Sequence, residues 1–319
     1  MNLLEEKLHN RIIAKKQELN NHRPLSDKTI RKLVQKMEIE YTYNTNAIEG
    51  NTLTHRETQL VIREGITIAG KSLRDHLEAK NHPAAIRFIE SLKDQPLSVE
   101  NIKKVHEIIF YNILESAGLW RKGQVFVEGA DFVPIPAPEI AQEMELLVKW
   151  LNDNQSELRP IELASVFQHK LVLIHPFEDG NGRVARILMN LLLLKYGYPL
   201  TIIRTYDRRR YYNTLKKADN GNLKPFVNFI ARCVEESLDI YLSVLEPKAG
   251  KRKMMKLSEA AKTTPYTKEY LSLLARKGKI AAVKIGKNWK ITPEAIEVYL
   301  KSLNSNRSNS RKQSEENGT

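Results

Sequence analysis

The chain has 319 residues, a formal net charge of +13 and one cysteine. This length is enough for two or three domains, and a single cysteine excludes an intrachain disulfide. The acidic opening residues lack the apolar stretch of a secretory signal, and the longest apolar run, 187–194, is too short to cross a bilayer. We therefore expect a cytoplasmic protein with no membrane partner.

The positive charge is concentrated near the C-terminus. Residues 251–303 contain 13 Lys or Arg and 4 Asp or Glu, a net charge of +9. Residues 304–319 contain 3 basic and 2 acidic side chains, or +1, which leaves +3 for the first 250 residues. A basic segment of this kind predicts a nucleic-acid-binding module separate from the rest of the chain.

In chain order, apolar residues recur at helical spacing in most long segments, so the fold class is predicted to be mostly α. A helix is predicted over 26–49 and is stopped by Gly50, and Thr54 and Glu57 form a capping box that opens the next helix. Residues 124–132 predict a short β-hairpin instead. Further helices are predicted over 99–115, 138–150, 160–174, 183–196 and 222–245.

These elements and the charge distribution predict the domain organisation. The predicted regions are a helical N-terminal region at 1–98, a core domain at 99–245, a linker at 246–255, a small basic domain at 256–303 and a disordered tail at 304–319.

The small basic domain contains two short helical segments, a hairpin over 280–291 and a final helix that begins near Thr292. This order resembles the winged helix-turn-helix of excisionase and MerR-type proteins, and the resemblance implies binding to double-stranded DNA. A small basic domain that contacts a protein is the alternative. The candidate DNA contacts are Lys268, Arg276, Lys277, Lys284, Lys287 and Lys290.

The run from His175 to Arg186 carries the chemistry. Gly180 and Gly182 permit a turn whose N–H groups point inward, and the N-terminus of the following helix attracts anions. The run also supplies two arginines for phosphate oxygens, Asp179 as an oxygen ligand for Mg²⁺, and His175 as a general base. This set predicts phosphoryl-transfer chemistry, although a plain helix–loop–helix corner could use the same glycines.

The same run matches, at every fixed position, the signature His-Pro-Phe-x-Asp/Glu-Gly-Asn-Gly-Arg-x-x-Arg. Residues 25–240 therefore resemble the Fic family, whose members are protein adenylyltransferases with a helical core and a β-hairpin flap. The resemblance implies that AMP passes from ATP to a Ser, Thr or Tyr hydroxyl of a protein target or of the chain itself. It also implies that His175 is the base and that Asp179 holds Mg²⁺.

The resemblance further implies an ATP site. Three parts of it remain open: the flap residues could be a surface hairpin, the two tyrosines could be core residues, and the third part is Asp219. Asp219 stands where some relatives have Asn, and it could be a solvated acid. The residues assigned to ATP are Asp179, Gly180, Asn181, Gly182, Arg183, Val184, Ala185, Arg186, Val127, Glu128, Gly129, Ala130, Tyr211, Tyr212 and Asp219.

Residues 45–50 resemble the inhibitory motif of the family, Ser/Thr-x-x-x-Glu-Gly/Asn, placed before the core. The resemblance implies that Glu49 pairs with Arg186 and keeps that arginine from the γ-phosphate. Relatives with this arrangement also remove AMP by using the same Glu to position water. The sequence leaves open which direction dominates and whether the chain forms a homodimer.

The function predicted from the sequence is therefore a protein adenylyltransferase inhibited by Glu49. The alternative is a transcription regulator whose core only senses a nucleotide, but a sensor would need neither His175 nor Asp179. His169, six residues before His175, is predicted to be a hydrogen-bonded core histidine and not a metal ligand.

Overall fold

The computed structural model describes residues 2–22, 27–127, 132–245, 254–277, 279–280, 282–285, 288–292, 295–296 and 299–300. They fall into two compact units, Met1–Leu245 and Glu246–Thr319. The predicted tail at 304–319 and residues 246–253 of the predicted linker lie outside the described residues.

The first unit is helical, as the sequence predicts. Its helices are α1 (Glu6–Asn21), α2 (Asp27–Ile48), α3 (His55–Glu64), α4 (Leu73–Ser91), α5 (Val99–Ile109), α6 (Ile140–Asp153), α7 (Pro160–Ile174), α8 (Asn181–Lys195), α9 (Arg208–Asp219) and α10 (Lys224–Leu245). Short 3-10 turns precede α6 and α9.

Local capping signals explain where several helices begin. Thr54 Oγ1 accepts a hydrogen bond from the Glu57 N–H, and the Thr54 N–H donates to Glu57 Oε2, which is the predicted capping box. Ser98 and Asn101 form a similar box at the start of α5. A proline at the first position of α7 fits a site where no intrahelical N–H bond is needed.

The helix predicted over 99–115 is six residues too long, because α5 ends at Ile109. Phe110 leaves the helical region, and Asn112 adopts a positive φ of 58°. His106 in the last turn of α5 accepts a hydrogen bond from the Gly118 N–H, so the chain folds back over the helix end. A contact between residues that distant is not visible in the helical periodicity.

The core of the first unit is built around the α7–α8 pair. The side chains of α8 from Val184 to Leu193 are almost all buried, and the inner face of α7 packs against them. Helix α1 closes one side of this core by packing Leu8, Ile12 and Leu19 into the same cluster.

The N-terminal segment is also tied to α7 by hydrogen bonds. The N–H groups of Leu3 and Leu4 both donate to Glu162 Oε1 at 2.8 Å. Glu162 lies in the first turn of α7 and is 2% exposed. On the other side, the Glu5 N–H donates to Asn228 Oδ1 of α10. Two buried polar side chains therefore fix the chain in front of α1.

The predicted flap lies between α5 and α6. Its described arms, 124–127 and 132–136, have no strand pairing of their own, and Glu128, Gly129, Ala130 and Asp131 lie outside the described residues. The Gln124 side chain donates to the Pro134 carbonyl at 3.0 Å and so bridges the two arms. Arg121 Nη2 donates to the Ile135 carbonyl at 2.5 Å.

The second unit has its own small core. It contains β1 (Met255–Lys256), α11 (Leu257–Ala260), α12 (Lys268–Arg276), β2 (Ala282–Ile285) and β3 (Asn288–Ile291). The strands form an antiparallel sheet in the order β1-β3-β2, with Ile291 opposite both Met255 and Ala282. Leu271 and Leu274 of α12 pack with Ile280 and Ile291. The order of two short helices and a hairpin agrees with the sequence analysis.

A search for helices capable of crossing a bilayer found none in the described parts of the chain.

The packing of α1 can be tested with Ile12→Ala, since Ile12 is fully buried in the main core. Removing three carbons from a packed site should lower the free energy of unfolding by about 2–5 kcal/mol. The exposed neighbour Gln17 offers a control, because Gln17→Ala should change stability by less than about 0.5 kcal/mol. Urea unfolding curves measure both. Equal stability of the two variants would mean that α1 is not part of the core.

Candidate active site

The loop between α7 and α8 is held in a single conformation by its own side chains. His175 ends α7 with φ 52° and ψ 59°, and Gly180 begins α8 with φ 80°. Asn181 bonds Phe177 twice, since its Oδ1 accepts from the Phe177 N–H and its Nδ2 donates to the Phe177 carbonyl. The predicted contact of Asn181 with phosphate could therefore involve only its backbone, because both ends of its amide are used inside the loop.

Phe177 is fully buried and stacks on His106 of α5, with ring centroids 3.8 Å apart. His106 Nε2 donates to the Asp179 carbonyl at 3.1 Å. Burial lowers the pKa of His106 to about 4, so the ring is neutral at physiological pH. The loop is thus supported by the uncharged stack of His106 and Phe177.

Gly180 has no room for a side chain. A Cβ at this position would lie 2.0 Å from Cε2 of Phe110, and the positive φ disfavours other residues. The close approach of Phe110 therefore requires glycine here. The first N–H groups of α8, which follow directly, have no acceptor within the helix.

His175 has the geometry of a general base. Its Nδ1–H donates to the Val172 carbonyl at 3.2 Å, so the lone pair of the neutral ring lies on Nε2. Burial lowers the pKa of His175, and the hydrogen bond to Val172 opposes this shift only in part. Its carbonyl accepts from Arg121 Nε at 2.7 Å, which fixes the backbone at this position. The imidazole is therefore unprotonated and oriented at neutral pH.

Asp179 lies next to the base, with 41% of its side chain exposed. Arg74 of α4 contacts one carboxylate oxygen, and Arg183 Nη2 lies 3.3 Å from the other. Burial alone would raise the pKa of Asp179, but the two guanidinium groups outweigh it and hold the pKa below its usual value. The carboxylate is therefore ionised and accessible.

Arg183 points into the protein. Its Nη1 donates to Glu78 Oε1 of α4 at 2.5 Å, and its guanidinium lies 4.5 Å from the centre of the Phe110 ring. Glu78 also accepts hydrogen bonds from Asn51 and Arg74. The side chain assigned to phosphate from the sequence is thus 2% exposed and already paired with a carboxylate.

Arg186 is also 2% exposed, and its three nitrogens all have partners at the end of α2. Nε donates to Thr45 Oγ1 at 2.9 Å, Nη2 donates to the Thr45 carbonyl at 3.0 Å, and Nη1 lies 2.6 Å from Glu49 Oε1. Burial lowers the pKa of Arg186, but Glu49, together with the neighbouring Tyr211, Tyr212 and Tyr41, outweighs this effect and the net pKa is raised. The contact expected between Glu49 and Arg186 is present.

The Glu49 carboxylate also lies over the first turn of α8. A Cβ on Gly182 would be 2.6 Å from Glu49 Oε1 and 3.1 Å from Arg186 Nη1. Glycine at this position therefore lets the carboxylate approach the helix N-terminus, where negative charge is stabilised.

The two tyrosines of α9 differ in environment. Tyr211 is 1% exposed, and its hydroxyl accepts from Gln168 Nε2 at 2.8 Å, so it is a core residue. Tyr212 is 38% exposed, and Arg208 stacks on its ring at 5.0 Å. Of the two, only Tyr212 has surface that is exposed to solvent.

Asp219 is not a solvated acid. Its Oδ1 lies 2.9 Å from Nε2 of His169, and both side chains are more than nine-tenths buried. His169 is a hydrogen-bonded core residue, as expected. Its partner, Asp219, is one of the residues assigned to ATP from the sequence. The described residues contain no group of three or more His, Cys, Asp or Glu suited to hold a metal ion.

Three other residues assigned to ATP are placed as follows. Val184 and Ala185 are fully buried within α8, and the Val184 N–H is used in a hydrogen bond to the Gly180 carbonyl. Val127 lies in the first arm of the flap, while Glu128, Gly129 and Ala130 lie outside the described residues.

The sequence analysis did not select Arg74, Glu78, His106 or Arg121. Each is bonded to the loop or to an arginine of the motif, from a position between 54 and 105 residues away along the chain. Charge pairing across such distances leaves no periodic signal in one sequence.

Comparison with known proteins agrees with this geometry. Residues 96–193 match the model of the Fic/DOC family. The "Protein adenylyltransferase Fic" of Nematostella vectensis is 38% identical over 227 residues, which cover 69% of this chain and 52% of the relative. The "Protein adenylyltransferase fic-1" of Caenorhabditis elegans is 36% identical over 223 residues, covering 68% and 44%. The chain therefore spans about half the length of the curated relatives it matches.

Solved structures show the same similarity. A Fic domain-containing signalling protein from Bacteroides thetaiotaomicron superposes with a TM-score of 0.70 and 30% identity, covering 74% of this chain and 98% of that one. A fragment of Fic-1 from C. elegans gives a TM-score of 0.68 and 32% identity, covering 75% and 73%. By its motif, its helical core and these similarities, the chain belongs to the Fic/DOC family.

Proposed function

We propose that this chain transfers AMP from ATP to a hydroxyl group of a protein target or of itself. The observation that carries the proposal is His175, whose Nδ1–H is bonded to the Val172 carbonyl so that Nε2 can act as the base, at the start of the loop that leads into the N-terminus of α8. The names of the curated relatives, which are protein adenylyltransferases, support it.

In this reaction His175 Nε2 removes the proton of the attacking hydroxyl. The hydroxyl oxygen then forms a bond to the α-phosphorus of ATP, the bond from that phosphorus to the bridging oxygen breaks, and pyrophosphate leaves. The low pKa of His175 favours the base form at neutral pH. A nucleotide sensor would not require an oriented base, and this disfavours the transcription regulator as the main function.

The phosphates would bind at the first turn of α8. The N–H groups of this turn and the positive end of the helix attract anions, and Gly182 lets them approach the backbone. Because Arg183 is paired with Glu78, it would act mainly by its charge. Arg186 could reach a phosphate only after Glu49 withdraws.

Mg²⁺ would be held by Asp179 together with phosphate oxygens. The carboxylate is ionised and 41% exposed, and of its two arginine partners Arg74 is half exposed. Bound there, the ion would neutralise charge on the phosphates.

The role of the base can be tested with His175→Ala. AMP transfer should fall to background while ATP affinity stays near that of the wild type, because the base contacts the nucleophile and not the phosphates. Mass spectrometry after incubation with ATP and Mg²⁺ detects added AMP, and calorimetry measures binding. AMP transfer by the variant at the wild-type rate would refute the assignment.

We also propose that Glu49 inhibits transfer. Its carboxylate occupies the phosphate end of α8 and neutralises Arg186, so ATP must displace it in order to bind productively. The 27% exposure of the Glu49 side chain indicates that the pair lies at the edge of the site, where a ligand can reach it.

Glu49→Gly should therefore raise the rate of AMP transfer. A partly buried ion pair of this kind contributes about 1–3 kcal/mol, which corresponds to a roughly five- to hundredfold increase. Adding Arg186→Ala to this variant should abolish the gain, because the γ-phosphate then loses its anchor. The inhibitory role fails if Glu49→Gly leaves the rate unchanged while Arg186→Ala alone abolishes it.

For the second unit we propose binding to double-stranded DNA. Lys268, Arg276 and Lys277 are exposed on α12 or directly after it, and residues 251–303 carry a net charge of +9. A helix of this kind next to a small antiparallel sheet is a common way to reach the major groove and the flanking phosphates.

DNA binding by the full-length chain should weaken steeply with salt, since lysine contacts release counterions from the duplex. Lys268→Ala or Lys277→Ala should each lower the slope of log affinity against log salt by about 0.9 if the residue contacts a phosphate. Lys93→Ala on the first unit is the control and should leave the slope unchanged. Absent or salt-insensitive binding to a labelled duplex would favour a protein-contacting role instead.

A further inference from the structure

One face of α2 is bonded to a short segment that is not part of the catalytic motif. Glu40, Asn44 and Ile48 are spaced four residues apart, so they lie one above the other on three successive turns. This face differs from that of Thr45, which bonds Arg186. Each of the three positions makes a polar contact with residues 204–208, which we call the clasp.

The contacts follow the same order in both segments. Arg204 forms an ion pair with Glu40, the Thr205 N–H donates to Asn44 Oδ1 at 3.0 Å, and Arg208 Nε donates to the Ile48 carbonyl at 2.8 Å. The last bond satisfies a carbonyl at the C-terminal end of α2, where a positive charge is favourable. Ile48 directly precedes Glu49, so the clasp holds the backbone next to the inhibitory carboxylate.

The clasp is itself anchored to the core. The Tyr206 hydroxyl donates to Glu236 Oε1 of α10 at 2.8 Å, and the Arg204 side chain is only 12% exposed. Arg208 begins α9, and its guanidinium also stacks on Tyr212 one turn later. The position of α2 is therefore linked to α9 independently of Arg186.

Elsewhere on α2, some buried polar side chains make no hydrogen bond to the described residues. Thr42 Oγ1 and both amide atoms of Asn46 are buried without a hydrogen-bond partner among the described residues. Unpaired buried polar groups oppose packing because they lose water and gain no bond. The polar contacts of the clasp offset that cost, so α2 should depend on them more than a fully satisfied helix would.

We propose that Arg204, Thr205 and Arg208 are positioning residues that hold α2 in its inhibitory place, and that the clasp is a second control point beside the Glu49–Arg186 pair. The part of this proposal that concerns inhibition rests on the proposed function. The part that concerns the stability of α2 does not, because it follows from contacts that exist whether or not the chain transfers AMP.

Arg204→Gln tests the stability of α2 directly by hydrogen–deuterium exchange of the full-length protein. Loss of the charged partner should speed exchange of the α2 amides roughly tenfold. Arg209→Gln is the matched control, since it removes the same charge from an exposed neighbour that has no bond to α2 within the described part of the chain. Equal exchange of α2 in the wild type and in Arg204→Gln would overturn the proposal.

Asn44→Ala provides a second variant in case Arg204→Gln fails to fold, because it removes the acceptor of the Thr205 N–H from a buried position in α2. It should also speed exchange of α2, and thermal unfolding should show that the remainder of the fold is intact. If exchange of the α2 amides is unchanged in this folded variant, the proposal that the clasp holds α2 is likewise overturned.

Rates of AMP transfer distinguish a positioning role of the clasp from a general effect of the substitutions on activity. Each clasp variant should raise AMP transfer severalfold when Glu49 is present, and should add nothing in the Glu49→Gly background, where there is no inhibitory carboxylate to position. An equal gain in both backgrounds would overturn the inhibitory role of the clasp. If no variant transfers AMP, including Glu49→Gly, the proposed function fails while the exchange measurements still decide the clasp.

Discussion

The buried guanidinium of Arg186 is the constraint on which this site depends. A permanent charge that is 2% exposed requires partners, and here Thr45 and Glu49 of the N-terminal region supply them. Thr45 lies in α2 and Glu49 directly follows it, so the charge of Arg186 on α8 is balanced by a segment outside the motif. Any anion that uses Arg186 must first displace Glu49, so ligand binding and the position of α2 are linked.

The loop itself depends much less on α2. Phe177 stacks on His106, Asn181 bonds both backbone groups of Phe177, and Gly180 packs against Phe110. These contacts come from the loop and from the α5 region, so none of them involves α2. The proposed inhibition by Glu49 requires such an arrangement, in which the loop is held by contacts other than those of α2.

Sequence reasoning worked best where structure is set locally. The capping box at Thr54 and the ends of α7 and α8 follow from residues within one or two turns, and helical periodicity identified most of the first unit. It failed at the end of α5, which was predicted to reach residue 115 and ends at Ile109. There a bond from the Gly118 N–H to His106 turns the chain back, and periodicity does not report such a bond.

By itself, the sequence determined the family, because the run from His175 to Arg186 is a complete local signature, and the resemblance to that family implied the pairing of Glu49 with Arg186. Only the tertiary structure decided which side chains remain available to a ligand. It pairs Arg183 with Glu78 and Asp219 with His169, and it buries Tyr211. These outcomes depend on burial, which forces charged and polar groups to find partners that lie far away along the chain.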